Sequence, residues 1–353
     1  MSDIVSRQLN WLLRPIQPFL DDPTVTDIHI NGPDPDGATT TLFVKQGAKR
    51  SQHKVPLPLV QLENIADNAA ALMRQDIAED APFCATRLPG GQRVQIVRPP
   101  AVPEGRYAMA IRRPSAKAAT IQQLIDNGVF SEVRSAERIR AQPRPIVGEL
   151  LALKAAQRWA ELIALAIRNG FNVVWAGMVG TGKTYDLRAF LEAIPIDWRI
   201  VTVEDMEEII NMAHPNVVNL LYPKGKDQGV SKHTAEDCIE AALRLDMDML
   251  VNQELRDAAA WAYLRALNSG HPGMTSCHAP SAEGAFKAIG LMVRQHESGK
   301  TLSNDDLQAT LRELIHIVAY CETIDGRRRV TQVYFEPEHQ KGMPADAASL
   351  LAA

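Results

Sequence analysis

The stretch from Phe171 to Thr184 constrains this chain more than any other. An apolar run over residues 173–175 leads into Gly-Met-Val-Gly-Thr-Gly-Lys-Thr at residues 177–184, which has the spacing G-x-x-x-x-G-K-[ST]. A buried strand that ends in glycines, followed by a helix that begins near the lysine, lets backbone N–H groups surround a phosphate. We therefore predict a nucleoside-triphosphate site here, with a helix from Thr184 to about Leu191.

The residues of this loop have separate predicted roles. The glycines admit a phosphate group where a Cβ would block it. Lys183 is expected to reach the β- and γ-phosphates, and the Thr184 hydroxyl is expected to ligate Mg²⁺. The predicted nucleotide-contacting residues are Gly177, Gly180, Thr181, Gly182, Lys183, Thr184 and Tyr185. The alternative is a glycine-rich turn that matches the pattern by chance.

Length and charge limit the class of protein. A chain of 353 residues is longer than one hydrophobic core usually holds, which favours two domains. The net charge of −4 argues against general nucleic-acid coating, and no sequence-specific nucleic-acid binding is expected. Neither a signal-peptide pattern nor an apolar run of roughly 18 residues is visible, so we expect a cytoplasmic protein with peripheral membrane contact at most.

The order of strand and helix patterns predicts an α/β protein with two domains. Strand-like stretches around an amphipathic helix at residues 59–73 indicate an N-terminal α+β domain over residues 1–114. Residues 115–145 are the expected linker, whose arginines form either a solvated face or a phosphate- or lipid-binding face. Alternating strands and helices from residue 146 to 353 predict a RecA-like P-loop NTPase domain with a mainly parallel sheet. A single long helix is expected over residues 146–167.

Acidic residues follow two predicted strands of this second domain. Glu204 and Asp205 end the strand at residues 199–203, with Glu208 one turn later. Glu254 ends the strand near residues 249–251. Because ligands of parallel sheets bind at the carboxyl ends of strands, these carboxylates are candidates for completing the Mg²⁺ shell and polarising the attacking water. Glu254, close to Arg256, is the first choice for the water.

Two histidines flank a short predicted strand after residue 270. His278, at its end, is expected to face the γ-phosphate, where an imidazole senses the phosphate or orients water. For His271 both a structural and a functional role stay open. A metal site that uses Cys277 lacks a third ligand nearby in the sequence.

These residues together resemble the secretion ATPases of type IV secretion systems, within the larger group that drives type II secretion and pilus retraction. The similarity covers nearly the whole chain and rests on motifs in a fixed order. The motifs are residues 13–23, Ile30-Asn31-Gly32-Pro33, residues 88–96, residues 111–115, the phosphate loop, residues 202–205 (the Asp box), Glu254-Leu-Arg256-Asp257, and residues 270–278 (the His box).

The resemblance implies a hexameric ATPase that binds ATP and Mg²⁺ at the cytoplasmic face of the inner membrane. Such a protein powers substrate translocation, conjugative transfer or pilus assembly by coupling hydrolysis to domain motion, alongside other components of the secretion system. The predicted catalytic residues are Glu254, Lys183, Glu204, Asp205, Glu208, His278 and Arg256. The family's N-terminal domain caps the nucleotide, which implies that Arg93 and Arg112 touch it.

The chain departs from the family pattern at several positions. Met178, Val179 and Tyr185 replace the usual polar residues of the loop, although their side chains can point away from phosphate. Asp246-Met-Asp-Met stands where relatives have basic residues and proline, and Asn252-Gln253 replaces small apolar residues before Glu254. Buried amides there need partners, and turnover is expected to be weaker if they lack them. Two alternatives therefore remain: a nucleotide-binding scaffold with little turnover, and a helicase-like nucleic-acid motor.

Overall fold

The computed structural model describes residues 2–114, 120–131, 133, 146–210, 212–224 and 230–336. The linker arginines at positions 134, 138, 140 and 144 lie outside the described residues. Among the described helices, none has the length and apolarity needed to cross a membrane.

The first sheet is built from the N-terminal part of the chain and has six antiparallel strands in the order β3-β2-β1-β6-β5-β4. The strands are β1 (Asp27–Gly32), β2 (Thr40–Gln46), β3 (Lys49–Val55), β4 (Phe83–Arg87), β5 (Arg93–Val97) and β6 (Tyr107–Arg112). Helices α1 (Ser2–Leu12), α2 (Gln17–Asp21) and α3 (Leu59–Leu72) complete this part. The predicted helix over residues 59–73 is confirmed by α3.

The two faces of strand β1 pack against different parts of the protein. Because successive side chains of a strand point to opposite faces, Ile28 and Ile30 share one face and pack in the same core as α1 and α3. The opposite face carries Asp27, His29 and Asn31. The His29 side chain contacts Asp246, and the Asn31 side chain contacts Arg199 and Asn216. Polar side chains on that face therefore meet a second layer of protein instead of water.

The described residues between the first sheet and residue 146 include a short helix, α4 (Ile121–Asp126). The single helix expected over residues 146–167 is wrong. Two helices occur instead, α5 (Val147–Ala155) and α6 (Trp159–Arg168). They are separated at Gln157, which has a positive φ of 56°. A residue in the left-handed region interrupts helical hydrogen bonding, so the chain turns there and both apolar faces pack on one core.

The second sheet has seven strands in the order β13-β12-β7-β11-β10-β8-β9. The strands are β7 (Val173–Gly177), β8 (Ile200–Glu204), β9 (Val217–Leu221), β10 (Met249–Asn252), β11 (Gly273–His278), β12 (Ile317–Ile324) and β13 (Arg327–Tyr334). All neighbours pair in parallel except β12 with β13. The packed helices are α7 (Lys183–Phe190), α8 (Ala235–Ala242), α9 (Ala259–Asn268), α10 (Ala282–Val293) and α11 (Asn304–Leu314). The predicted α/β class with a mainly parallel sheet is confirmed.

The two sheets meet through a mixed interface. Small apolar side chains of β5, β6 and the loop between them, including Ala101 and Ala108, share a buried cluster with Val203 and Leu220 of the second sheet. The amide of Leu221 also donates to the carbonyl of Ala101 at 2.9 Å. Small side chains allow the two backbones to approach closely at this point.

An ionic cluster lies beside this apolar contact. The Asp246 carboxylate accepts hydrogen bonds from Lys45 Nζ at 2.6 Å, Arg112 Nη2 at 2.7 Å and His29 Nε2 at 3.0 Å. The Asp248 carboxylate forms a two-bond pair with the Arg50 guanidinium, at 2.6 and 2.7 Å. Asp246 and Asp248, which depart from the family pattern, therefore form ion pairs with basic residues of the first sheet.

Candidate functional site

The glycine-rich stretch forms a loop between the central strand and a helix, as predicted. Strand β7 ends at Gly177 and α7 begins at Lys183, with Gly182 at the N-cap in the left-handed conformation at φ 86°. A Cβ on Gly177 would lie 2.5 Å from the Cys321 carbonyl oxygen and 2.7 Å from Thr181 Oγ1. Only glycine fits there, which keeps the loop closely wound on the sheet.

Lys183 is buried inside this loop, with 6% of its surface exposed. Its Nζ donates to the Met178 carbonyl at 3.0 Å and lies 3.3 Å from His278 Nδ1. Among the described residues no carboxylate pairs with this ammonium group, and burial lowers the pKa of Lys183. A buried cation whose partners are a carbonyl and an imidazole is suited to receive an anion such as phosphate.

His278 connects the lysine to Glu254. The imidazole is at the carboxyl end of β11, and its Nε2 lies 3.1 Å from Glu254 Oε1. Its Nδ1 also lies 3.3 Å from the Gly177 carbonyl. Because Lys183 Nζ can only donate and the Gly177 carbonyl can only accept, the role of Nδ1 is set by the tautomer of the ring. The strand end thus places one imidazole between the phosphate loop and an acid.

Glu254 continues the chain of polar contacts to the next strand. Its Oε2 accepts from Arg256 Nη2 at 2.6 Å, and Arg256 Nη1 donates to Asp205 Oδ2 at 2.9 Å. Burial would raise the pKa of the Glu254 carboxyl, but the Arg256 hydrogen bond and the charges of Arg256, His278 and Lys183 outweigh it and lower the pKa. Glu254 is therefore held as a carboxylate, the form that polarises water.

Glu204 ends strand β8, as predicted. Its side chain is fully buried, and its two oxygens accept hydrogen bonds from the Thr202 hydroxyl, the Asn219 amide and the backbone N–H groups of Glu208 and Ile209. Glu204 therefore holds the segment after β8 in place. The catalytic roles predicted for Glu204 and Glu208 stay predictions.

Arg93 and Arg112 are also not brought to the phosphate loop of the same chain. They are cross-strand neighbours in the first sheet, and Arg112 is held by Asp27 and Asp246. Asp246 precedes the amino end of β10, whereas the loop follows the carboxyl end of β7 in the same parallel sheet. The two arginines and the loop thus lie at opposite ends of the parallel strands, and the contact of Arg93 and Arg112 with nucleotide stays a prediction.

The unusual residues before Glu254 are largely partnered. Asn252 Nδ2 donates to Thr275 Oγ1 at 3.2 Å, and Gln253 Oε1 accepts from the Asp205 amide at 3.3 Å. The side chains of Met178 and Val179 are 56% and 82% exposed, so they point out of the loop. These departures leave the loop accessible to phosphate.

Sequence reasoning missed Arg328, which approaches the loop from the β12–β13 hairpin. Its guanidinium carbon lies 3.7 Å from the centre of the Tyr185 ring. The signal was present in the three consecutive arginines that follow the Asp325-Gly326 turn.

The site offers few protein ligands for a divalent cation. Among the described residues there is no group of three or more His, Cys, Asp or Glu side chains suited to a metal ion. Mg²⁺ bound to nucleotide keeps several waters and takes most ligands from phosphate, so one hydroxyl such as that of Thr184 is enough protein ligation. The Cys277 alternative is not supported, because burial raises the pKa of that thiol to about 12.

A phosphate loop with a buried lysine, flanked by a glutamate and a histidine at adjacent strand ends, is typical of P-loop nucleoside triphosphatases. A sequence profile of the Type II/IV secretion system protein family matches residues 137–345, more than half of the chain. The Type IV secretion system protein VirB11 of Bartonella henselae is 33% identical over 345 residues, covering 94% of each chain. The protein of the same name from Brucella suis is 32% identical over 341 residues, covering 95% of this chain and 92% of its own.

A solved structure agrees with these relatives. The crystal structure of the VirB11 ATPase from the Brucella suis type IV secretion system, in complex with sulphate, has a TM-score of 0.87 at 29% identity and covers 100% of this chain and 99% of its own. The chain belongs to the type II/IV secretion system protein family, within it to the type IV secretion ATPases, and is an ATP-hydrolysing enzyme.

Proposed function

We propose that this chain is a cytoplasmic ATPase that powers type IV secretion or conjugative transfer by coupling ATP hydrolysis to domain motion. The observation that carries the proposal is the continuous contact from Lys183 through His278 to Glu254 across the ends of β7, β11 and β10. A nucleotide bound at the loop would have its γ-phosphate between a buried cation and a carboxylate. That arrangement suits attack by water on phosphorus.

Each residue has a role in this proposal. The loop amides and Lys183 hold the β- and γ-phosphates, and Thr184 ligates Mg²⁺, which would neutralise charge on the phosphate oxygens. Glu254 orients and polarises the attacking water. His278 reports the presence of the γ-phosphate to Glu254, while Arg256 and Asp205 fix the carboxylate's position through their ion pair.

The proposed domains are residues 1–114 and 146–353, joined by the linker 115–145. The proposed assembly is a homo-hexamer that works with other secretion components at the inner membrane. Within one chain, Arg93 and Arg112 lie at the other end of the parallel strands from the loop. Their contact with nucleotide would therefore have to be made at another subunit's site. This proposal therefore requires the oligomer for a complete site.

The test combines hydrolysis with assembly. Lys183→Ala is expected to abolish phosphate release, with Lys287→Ala, a lysine of α10 outside the site, as the control that keeps wild-type activity. The wild-type chain is expected to elute as a ring-sized species in the presence of ATP. Persistent hydrolysis by the Lys183 variant would remove the assignment of the site, and tight ATP binding without phosphate release would favour a nucleotide-binding scaffold.

A further inference from the structure

The hairpin of β12 and β13 overhangs the phosphate loop. Strand β12 pairs with β7 up to the match of Cys321 with Gly177, and then continues three residues past it to Ile324. The chain turns at Asp325 and Gly326, which have positive φ of 49° and 70°. Residues 327–329 of β13 therefore lie beyond the end of the central strand, at the level of the loop.

The three arginines of the hairpin do not face the same way. Alternation along β13 puts Arg328 on one face and its two neighbours, Arg327 and Arg329, on the other. Arg328 faces the loop, because a Cβ on Gly182 would lie 2.9 Å from its Nη1. Its guanidinium stacks on Tyr185 at 3.7 Å. Of the three arginines, the register of the hairpin thus directs Arg328 toward the loop.

The Arg328 guanidinium also keeps donors available for a ligand. Its acidic neighbour is Asp186, whose Oδ1 lies 3.7 Å from Nη1, too far for a hydrogen bond. The side chain of Arg328 is 42% exposed. A cation that is oriented by a ring but only loosely paired is suited to bind an incoming anion.

The order of strands indicates which part of a nucleotide would reach Arg328. Glu254 and His278 lie on the side of β7 occupied by β11 and β10, whereas the hairpin lies on the opposite side, next to β12. A triphosphate with its γ-phosphate toward Glu254 therefore extends its α-phosphate and nucleoside toward β12. Tyr185, in the first turn of α7, lies on that path.

We propose that Arg328 is a nucleotide-binding residue that donates to the α-phosphate, with the Tyr185 ring holding its guanidinium in position. This inference rests on the proposed function, because it assumes that the loop binds ATP. It assigns the nucleoside end of the site to a residue from the C-terminal hairpin of the sheet. Since ADP and ATP share the α-phosphate, both ligands require Arg328.

The experiment measures dissociation constants of ADP and ATP, with Mg²⁺, by titration calorimetry on the full chain. Arg328→Ala is expected to weaken both nucleotides by about 10-fold or more, the usual effect of losing a hydrogen bond to a charged group. Arg327→Ala, from the opposite face of the same hairpin, is the matched control and stays within about 2-fold of wild type. In hydrolysis assays the Arg328 variant shows its effect mainly in KM, since the γ-phosphate end is untouched.

Further variants separate the role of the ring and guard against misfolding. Tyr185→Leu is expected to weaken both nucleotides, and the double variant with Arg328→Ala should lose less than the sum of the two effects. Arg328→Lys keeps the charge without the planar donors and is expected to recover only part of the affinity. Thermal melting of each variant establishes that the hairpin is folded.

The outcomes distinguish the two proposals. If the wild-type chain binds neither nucleotide, the proposed function falls and this inference falls with it. If wild type binds but Arg328→Ala binds equally well, only the role of Arg328 is overturned. Tighter binding by Arg328→Ala would mean that the arginine obstructs the loop, and a loss confined to ATP would place it at the γ-phosphate; each result overturns the α-phosphate assignment.

Discussion

Lys183 Nζ lies 3.3 Å from His278 Nδ1, so the phosphate loop and the end of β11 share a polar contact. The other ring nitrogen of His278 faces Glu254 at 3.1 Å. One imidazole therefore links Lys183, which we propose binds phosphate, to Glu254, which we propose polarises water.

Replacing His278 by asparagine is expected to reduce kcat by roughly 10²-fold while the dissociation constant for ATP changes little, because the loop itself is intact. Steady-state hydrolysis and nucleotide titration check the two parts. His271→Asn is the matched control: His271 contacts Ser269 Oγ at 2.9 Å, before the start of β11, away from the loop. Equal losses in both histidine variants would contradict a special role for His278.

Glu204→Gln is expected to lower stability more than chemistry. Its carboxylate accepts four hydrogen bonds inside the protein, and weakening charged hydrogen bonds of this kind costs about 1–3 kcal/mol. The melting temperature should fall, while the folded enzyme keeps most of its kcat. Glu254→Gln is expected to show the reverse: a near wild-type melting temperature and little hydrolysis. A fully stable but inactive Glu204 variant would restore Glu204 to the catalytic group.

Removing the Asp246 carboxylate is expected to destabilise the contact between the two sheets. Asp246→Ala leaves Lys45, Arg112 and His29 without their shared acceptor, at a cost of roughly 2–3 kcal/mol, less than for a fully buried pair because Asp246 is 17% exposed. Urea unfolding measures the change. Lys54→Ala breaks the exposed pair with Asp36 and should have a much smaller effect. Similar values for both variants would mean that the cluster contributes nothing beyond a surface pair.

Because of His29, the free energy of unfolding is expected to fall in mild acid. Burial, followed by the charge of Arg199, lowers the pKa of His29 to about 4 from 6.5. The unfolded chain therefore takes up a proton before the folded one, and stability falls as the pH drops from about 6.5 to about 4. The pKa of Asp246 is lowered by the His29 and Lys45 hydrogen bonds despite its burial, so its own contribution is lost only below that window, as the pH falls through its folded pKa.

The measurement is the free energy of unfolding between pH 7 and pH 4.5 for wild type and His29→Gln. The glutamine amide can still donate to Asp246 but does not titrate, so its stability should fall less steeply with decreasing pH. Parallel curves for the two proteins would exclude His29 as the source of the acid sensitivity.

Local sequence signals predicted the centre of the second sheet well. The β7 strand, the loop and α7 follow from glycine spacing and apolar runs. Strand β9 was missed because five residues at the sheet edge, half-buried on alternate positions, give a weak pattern. The break at Gln157 was missed because its left-handed backbone comes from packing, not from a glycine or proline.

The sequence predicts the position of those site residues that lie at the ends of parallel strands. Glu254 and His278 end parallel strands, so topology brings them together. Glu204 also ends a strand, but its side chain turns inward to the amides of Glu208 and Ile209, and no strand pattern distinguishes these two outcomes. The partners of Asp246 lie 134 to 217 residues away along the chain, so only the folded structure reveals why this acidic residue is there.

The contact around Asp246 combines small apolar side chains with ionised groups, and this mixture affects how readily the layers can separate. If the two surfaces separate, water and dissolved salt can solvate the lysine, arginine and aspartate side chains. An interface of large aliphatic side chains would instead expose an aggregation-prone apolar surface. Because this contact depends in part on ionised groups, its strength is expected to fall as ionic strength rises.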